Sequence, residues 1–158
     1  MAALNKSSAT LRIFGDSLDP DEVSRILGCA PTRAHVKGQI RHKSTVHKTG
    51  GWLLEATDQV PGDLDGQVTE LFSRVKKDIA VWVALARENE IDLFCGFFMD
   101  ETDAGLEISA DTMKLLSERG IKLGICIYAP TPDIRPDDPC PCESGRIYGE
   151  CCAPKPKV

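Results

Sequence analysis

The sequence predicts an α+β fold: an antiparallel or mixed sheet with helices on one face, in the ferredoxin-like manner, followed by a small cysteine-rich tail. Three observations lead there. Apolar residues switch several times along the chain between a period of two and the spacing of a helix. Ile121, Leu123, Ile125 and Ile127 alternate strictly, the clearest strand in the sequence. Four of the seven cysteines fall within the thirteen residues from Cys140 to Cys152, a segment too short to fold alone.

Residues 1–8 are expected to be flexible, with the α+β body spanning 9–129. Residues 10–15 alternate apolar and other side chains as a short strand does. Asp19-Pro20-Asp21-Glu22 then starts a helix, with Asp19 as cap, Pro20 in the first turn and Glu22 completing a capping box. Val23, Ile26 and Leu27 form its apolar face, and Gly28 stops it. Residues 29–50 carry no clear period. Gly50-Gly51 leads into a strand over Trp52–Ala56, and Pro61-Gly62 marks a turn. Leu64, Val68, Leu71, Phe72 and Val75, then Ile79, Trp82, Val83 and Leu85, recur at helical spacing. One helix over 64–88 would be long, so a break is expected near Asp78. Ile91 to Met99 reads as a buried strand, with a turn at Asp103-Ala104-Gly105 and a short strand at Leu106-Glu107-Ile108. Ser109 caps a helix carrying Met113 and Leu116 that ends at Gly120. After the last strand, Pro130, Pro132, Pro136 and Pro139 make 130–139 a semi-rigid linker to the tail at 140–158.

A chain of 158 residues suits one main domain and a small appendage, and 42% hydrophobic content supports a real core. A net charge of -5 and a pI near 5.2 argue against general nucleic-acid binding by the whole protein. No apolar run approaches the roughly 18 residues of a membrane span. Met1-Ala2-Ala3-Leu4-Asn5-Lys6 lacks a signal-peptide core, so the expected location is cytoplasmic. There Cys29, Cys95 and Cys126 would stay reduced, and their apolar neighbours mark them as small core residues.

Cys140-Pro141-Cys142 followed by Cys151-Cys152 has the spacing of a zinc site. Zinc takes four thiolates tetrahedrally, at roughly 2.3 Å each. Pro141 limits the local backbone, Gly145 permits a tight bend, and Ser144 is placed to cap a short turn through Tyr148. With four thiolates no position stays open for water, which makes the site structural rather than catalytic. Iron is the alternative ion, since four thiolates suit both metals. A disulfide pair or a metal-free tail is the competing reading, and the absence of a secretion signal argues against it.

The run from Asp138 to Cys152 resembles the SEC-C motif, the small zinc-binding tail at the C-terminus of the SecA preprotein translocase ATPase and of many unrelated bacterial proteins. The family pattern is Cys-Pro-Cys, a Gly-Ser-Gly turn, a basic pair, Tyr, a polar and often basic pair, then Cys with Cys or His. The chain matches at Cys140, Cys142, Cys151 and Cys152, at Ser144, Gly145 and Tyr148, and at the first basic position with Arg146. It departs at Glu143, where Gly is usual, and at Ile147, where Lys is usual; Gly149 and Glu150 lack the frequent positive charge. The resemblance implies metal binding and docking onto a protein partner, with the ribosome and the export machinery, including the SecB chaperone, as candidates. Arg146, Tyr148 and Lys155 are the side chains expected to meet such a partner. The body is also similar to a widespread bacterial family of unknown function, through Leu18-Asp19-Pro20-Asp21, Ala30-Pro31-Thr32-Arg33, Gly50-Gly51-Trp52 and Asp92-Leu93-Phe94-Cys95-Gly96. That likeness covers roughly 8–129 and implies a domain boundary without an activity.

Between Glu22 and Glu55 the chain has no acidic residue, yet it holds six lysines and arginines and all three histidines. Such a segment attracts phosphate, nucleic acid or an acidic protein surface. Arg33, Lys37, Arg41 and Lys43 are the candidate anion-binding residues; a solvated loop is the plainer reading. A Cys-His-Asp nucleophile assembled from Cys95, Asp92 and a loop histidine has no local support, and no phosphate loop, His-Glu-x-x-His or nucleophile elbow is present. The function expected is therefore that of a zinc-binding adaptor. The alternatives are a sensor of a small molecule or peptide, and an enzyme acting on an anionic substrate at the basic loop.

Overall fold

A computed structural model of the chain describes residues 2–42, 45–101, 103–130, 135–140 and 142–152. In chain order the elements are β1 (Ala2–Ala3), β2 (Lys6–Gly15), α1 (Pro20–Leu27), β3 (Arg33–His35), β4 (Ile40–His42), β5 (Thr45–Val46), β6 (Gly50–Glu55), α2 (Leu64–Arg74), α3 (Ile79–Glu88), β7 (Glu90–Phe98), β8 (Ala104–Gly105), α4 (Ala110–Glu118), β9 (Lys122–Tyr128) and a 3-10 turn at Tyr148–Glu150.

α1 and α4 begin at the expected caps, Asp19 and Ser109, and α2 and α3 begin at Asp63 and Asp78. The Asp19 carboxylate accepts from the Asp21 N–H, Asp63 from Gly66, Asp78 from Ala80, and the Ser109 hydroxyl from Thr112. Each satisfies an amide that the helix itself leaves unpaired. Asp78 therefore starts a new helix at the predicted break. Glu22 does not close a capping box; it pairs with Arg25 at 3.4 Å. Gly28 ends α1 in the left-handed region at φ 70°, the conformation that glycine adopts without a Cβ penalty.

Five strands form one mixed sheet in the order β3-β6-β2-β7-β9. β2 is central and antiparallel to both neighbours, and α4 carries the chain over to β9, which runs parallel to β7. The α+β class and the mixed sheet are as the sequence predicts; the ferredoxin-like arrangement is not confirmed. Alternation along β2 buries Ala9, Leu11 and Ile13 and leaves Arg12 and Phe14 half-buried. The buried set joins Trp52, Leu54, Ile91 and Leu93 from the sheet with Val23, Leu27, Leu71, Trp82 and Leu116 from the four helices in one core. The helices thus cover one face, and the Arg12 face stays open.

One buried polar cluster ties α2 to β2. Gln67 is fully buried; its amide donates to the carbonyls of Ser7 at 3.1 Å and Thr57 at 2.9 Å, while its oxygen accepts from the Ser7 hydroxyl at 2.8 Å. With every bond made, the group carries no desolvation penalty left unmatched.

Three expectations change. Residues 2–8 are part of the fold: β1 pairs in parallel with β8, Leu4 is buried, and Lys6 already starts β2. The short strand expected at 106–108 lies instead at Ala104–Gly105, because that is where the partner β1 is. The helix carrying Met113 and Leu116 is α4 as expected, with Leu116 buried and Met113 exposed. The linker assigned to 130–139 closes early, since Pro136, Asp138 and Pro139 are hydrogen-bonded or bridged into the tail; residues 131–134, with Pro132, lie outside the described residues.

Candidate metal centre

The tail is a small hairpin closed by backbone bonds. Pro139 and Ile147 form an antiparallel bridge. The Cys140 N–H donates to the Arg146 carbonyl at 2.9 Å, Tyr148 to Asp138 at 2.8 Å, and Gly149 to Pro136 at 2.8 Å. Between the hairpin's two sides, Glu143 at φ 58° and Gly145 at φ 73° both take the left-handed conformation. The turn needs that conformation twice, and glycine occupies only one of the two positions. A 3-10 turn from Tyr148 then returns the chain, with the Cys151 N–H donating to the Tyr148 carbonyl at 3.1 Å.

This path brings all four cysteines of the tail together. Their sulfurs lie within 4.8 Å of one another. Cys140 and Cys142 are 3.2 Å apart, Cys142 and Cys151 3.5 Å, and Cys151 and Cys152 3.8 Å. Four sulfurs at the corners of a tetrahedron with metal–sulfur bonds of roughly 2.3 Å stand ~3.8 Å apart, so the cluster has the size of a four-thiolate site. None of these distances is a disulfide, whose sulfurs sit at about 2.05 Å, and all seven cysteines are free. Cys140 is buried, Cys151 half-buried, and Cys142 and Cys152 exposed.

Ser144 does not cap the turn. Its hydroxyl lies 3.2 Å from the Cys151 sulfur and accepts from the Arg146 N–H at 3.4 Å, while Ile147 precedes the 3-10 turn and gives it no side-chain cap. Hydrogen bonds, first from Ser144 and then from Cys140 and Cys151, draw the Cys142 thiol down to about 6. Contacts with Cys140, Cys142 and Cys151 push Cys152 up to about 12. Crowded sulfurs hold one thiolate readily and resist the next; a divalent cation among them removes that repulsion. Of the side chains expected to meet a partner, Arg146 is exposed and Tyr148 half-buried; Lys155 lies outside the described residues.

The basic segment is less uniform than its sequence. Lys37 pairs with Asp16 at 3.0 Å, and Arg33 pairs with Glu55. Arg33 and Arg41 line one cavity on the open face of the sheet, together with Lys48, His35 and His47; Lys37 does not, and Lys43 lies outside the described residues.

Cys95 and Asp92 do not form a nucleophile pair. Cys95 is buried among core residues, and burial, with a smaller effect of Asp92, pushes its thiol up to about 12. Asp92 belongs to the opposite face, where both its oxygens accept from Arg12 at 2.7 Å. Cys29 packs partly against the core as expected. Cys126 instead shares the open face with Gly96, its partner in register.

The chain belongs to the DUF4279 family, a domain of unknown function, whose model matches residues 5–130. That span includes the early start of β2. A second model, the SEC-C motif, matches residues 138–154. The motif and the four converging sulfurs together mark the tail as metal-binding. No solved structure matches the chain. Among the described residues no helix is long and apolar enough to cross a membrane.

Proposed function

We propose that the protein is a zinc-binding adaptor whose tail docks onto a protein or ribosomal partner. Cys140, Cys142, Cys151 and Cys152 hold the ion in this reading. The observation that carries it is the convergence of four sulfurs on one point at the end of a hairpin. Zinc fits four thiolates without redox chemistry or a geometric demand of its own. When bound, it supplies a cross-link between the two ends of the hairpin, and the filled coordination shell leaves no place for substrate. The ion then organises a surface. Arg146 and Ile147 are exposed beside half-buried Tyr148, a combination of guanidinium, aliphatic and aromatic groups suited to a protein contact. The body at 9–129, extended to the residues before it that join the sheet, is the second recognition unit.

The test is affinity capture with mass spectrometry, comparing the wild-type chain with Cys151→Ser/Cys152→Ser at matched salt. Ribosomal or export proteins lost from the variant support docking through the tail. The same partners retained by the variant move recognition to the body and overturn the reading.

A further inference from the structure

The cavity beside β3 and β6 has a volume of about 1090 Å³, the size class of pockets that take small organic ligands. It is lined by Phe14 together with Arg33, Arg41, Lys48, His35 and His47. Among the described residues no carboxylate lines it. Glu55 engages Arg33, while Arg41 and Lys48 have no ion-pair partner among the described residues.

The ring arrangement is built, not incidental. His35 stands in register with Gly51, which in turn pairs with Phe14. A Cβ on residue 51 would lie 2.3 Å from His35 Cε1, so the imidazole rests on bare backbone that only glycine leaves free. The His47 ring stacks on His35 with centroids 3.6 Å apart and planes 20° apart, and Phe14 lies 6.3 Å from His35 on a tilted plane. The segment that delivers His47 is fixed by its own backbone: Gly38 donates to the His47 carbonyl at 2.8 Å, and His47 donates to Gln39 at 2.9 Å. Two imidazoles and two unpaired cations held this closely repel any further positive charge. Burial first, then His47 and Arg41, lowers the His35 pKa. An anion among them relieves the repulsion.

We propose that this cavity binds an organic anion whose phosphate or carboxylate sits between Arg41, Lys48 and the histidine pair and whose flat apolar body lies toward Phe14. The inference concerns the body alone and stands or falls independently of the tail. It gives the basic segment a defined role: Arg41 and Lys48 supply charge, Gly51 supplies room, and the stacked rings supply shape.

The experiment is a pH titration of His35 by NMR on the full chain, with inorganic phosphate and with phenyl phosphate as probes and sodium chloride at matched ionic strength as control. The groups facing His35 are His47 and Arg41, with Arg33 and Lys48 on the cavity wall and Glu55 paired to Arg33. Phosphate should raise the His35 pKa by about half a unit, and phenyl phosphate should bind about tenfold more tightly through its ring. Both effects should vanish in Arg41→Gln/Lys48→Gln. The Arg41 and Lys48 side chains are exposed, and amide resonances unchanged in the core confirm that the variant is folded. No shift with either probe, the same shift with chloride, or a shift that survives in the double variant overturns the proposal. Equal affinity for the two probes overturns the assignment of an organic ligand.

Discussion

Glu143 holds a backbone conformation at φ 58° that an L-residue adopts at a cost of about 1–2 kcal/mol relative to its right-handed alternative. Glycine there removes the cost, offset by roughly 0.5–1 kcal/mol for the greater freedom it gives the unfolded tail. Glu143→Gly should therefore favour the folded hairpin by about 0.5–1 kcal/mol. Because ligand convergence and hairpin folding are one event, that gain appears as metal affinity about two- to fivefold tighter. Gly145 provides the reverse test. Its φ is 73° and an added Cβ meets nothing within 4 Å, so Gly145→Ala acts through the backbone alone and should weaken binding by about the same factor. The assay is competition for zinc against a chelating dye at fixed pH. Glu143→Gln separates the two contributions of the side chain, since it removes the negative charge and keeps the strained backbone. If Glu143→Gly binds no more tightly than Glu143→Gln, or if Gly145→Ala binds as well as wild type, the account of the turn is refuted.

Chelation, or Cys151→Ser, should unfold the tail and leave the thermal melt of the body unchanged; loss of the body's cooperative transition would show that the two are one unit. Asp92→Asn should destabilise the body by about 1–2 kcal/mol in urea unfolding, because it breaks a two-pronged, half-buried pair with Arg12 whose guanidinium also lies 4.2 Å over the Phe94 ring. Gly51→Ala should cost little stability, since His35 can swing away, but should abolish the anion response of His35 in the NMR titration. The folded His35 pKa lies below its ordinary 6.5, with burial as the main cause and His47 and Arg41 behind it. Stability from keeping the ring neutral is therefore complete above about 6.5 and lost as pH falls through the lower folded value. His35→Gln should flatten that part of the acid limb in a denaturation series.

What the sequence made legible follows from how local each signal is. Asp19 and Ser109 name helix starts because a cap acts within three residues, and both are caps in the structure; Asp78, near the expected break, caps α3 as well. The alternation from Ile121 to Ile127 names a strand but not its depth. Leu123, Ile125 and Ile127 share a face with buried Leu93, Cys95 and Phe97, yet they are 37%, 44% and 64% exposed, because β9 is the sheet edge. Periodicity fixes which side a residue faces, while burial depends on what packs over it. β3, β4 and β5 stayed hidden because runs of two or three residues are too short for a period to register. The four cysteines were legible as a set through spacing alone. The cavity was legible only as charge: that His35 and His47 stack depends on register across Gly51, and register is a property of pairing that no single segment states.

The two faces of the sheet divide the chemistry of the body. Every charged residue of the five strands, Lys6, Arg12, Arg33, Glu55, Glu90, Asp92 and Lys122, falls on the Arg12 side in register, as does His35. The other side is filled by Leu11, Ile13, Trp52, Leu54 and Leu93 against the helices, and its one titratable group, Cys95, is held protonated by burial. The cavity lies on the charged side, lined by Phe14, Arg33 and His35. The tail has the opposite problem. Its only buried apolar residue is Cys140 among the described residues, so backbone bonds and sulfur ligation must do there what a hydrophobic core does in the body. A perturbation of cavity charge and a perturbation of the metal thus act on parts of the chain stabilised by different physics. The double variant Arg41→Gln/Lys48→Gln should leave zinc affinity untouched, and Cys151→Ser should leave the His35 titration untouched. Coupling between those two readouts would mean that body and tail share an equilibrium, and would refute this division.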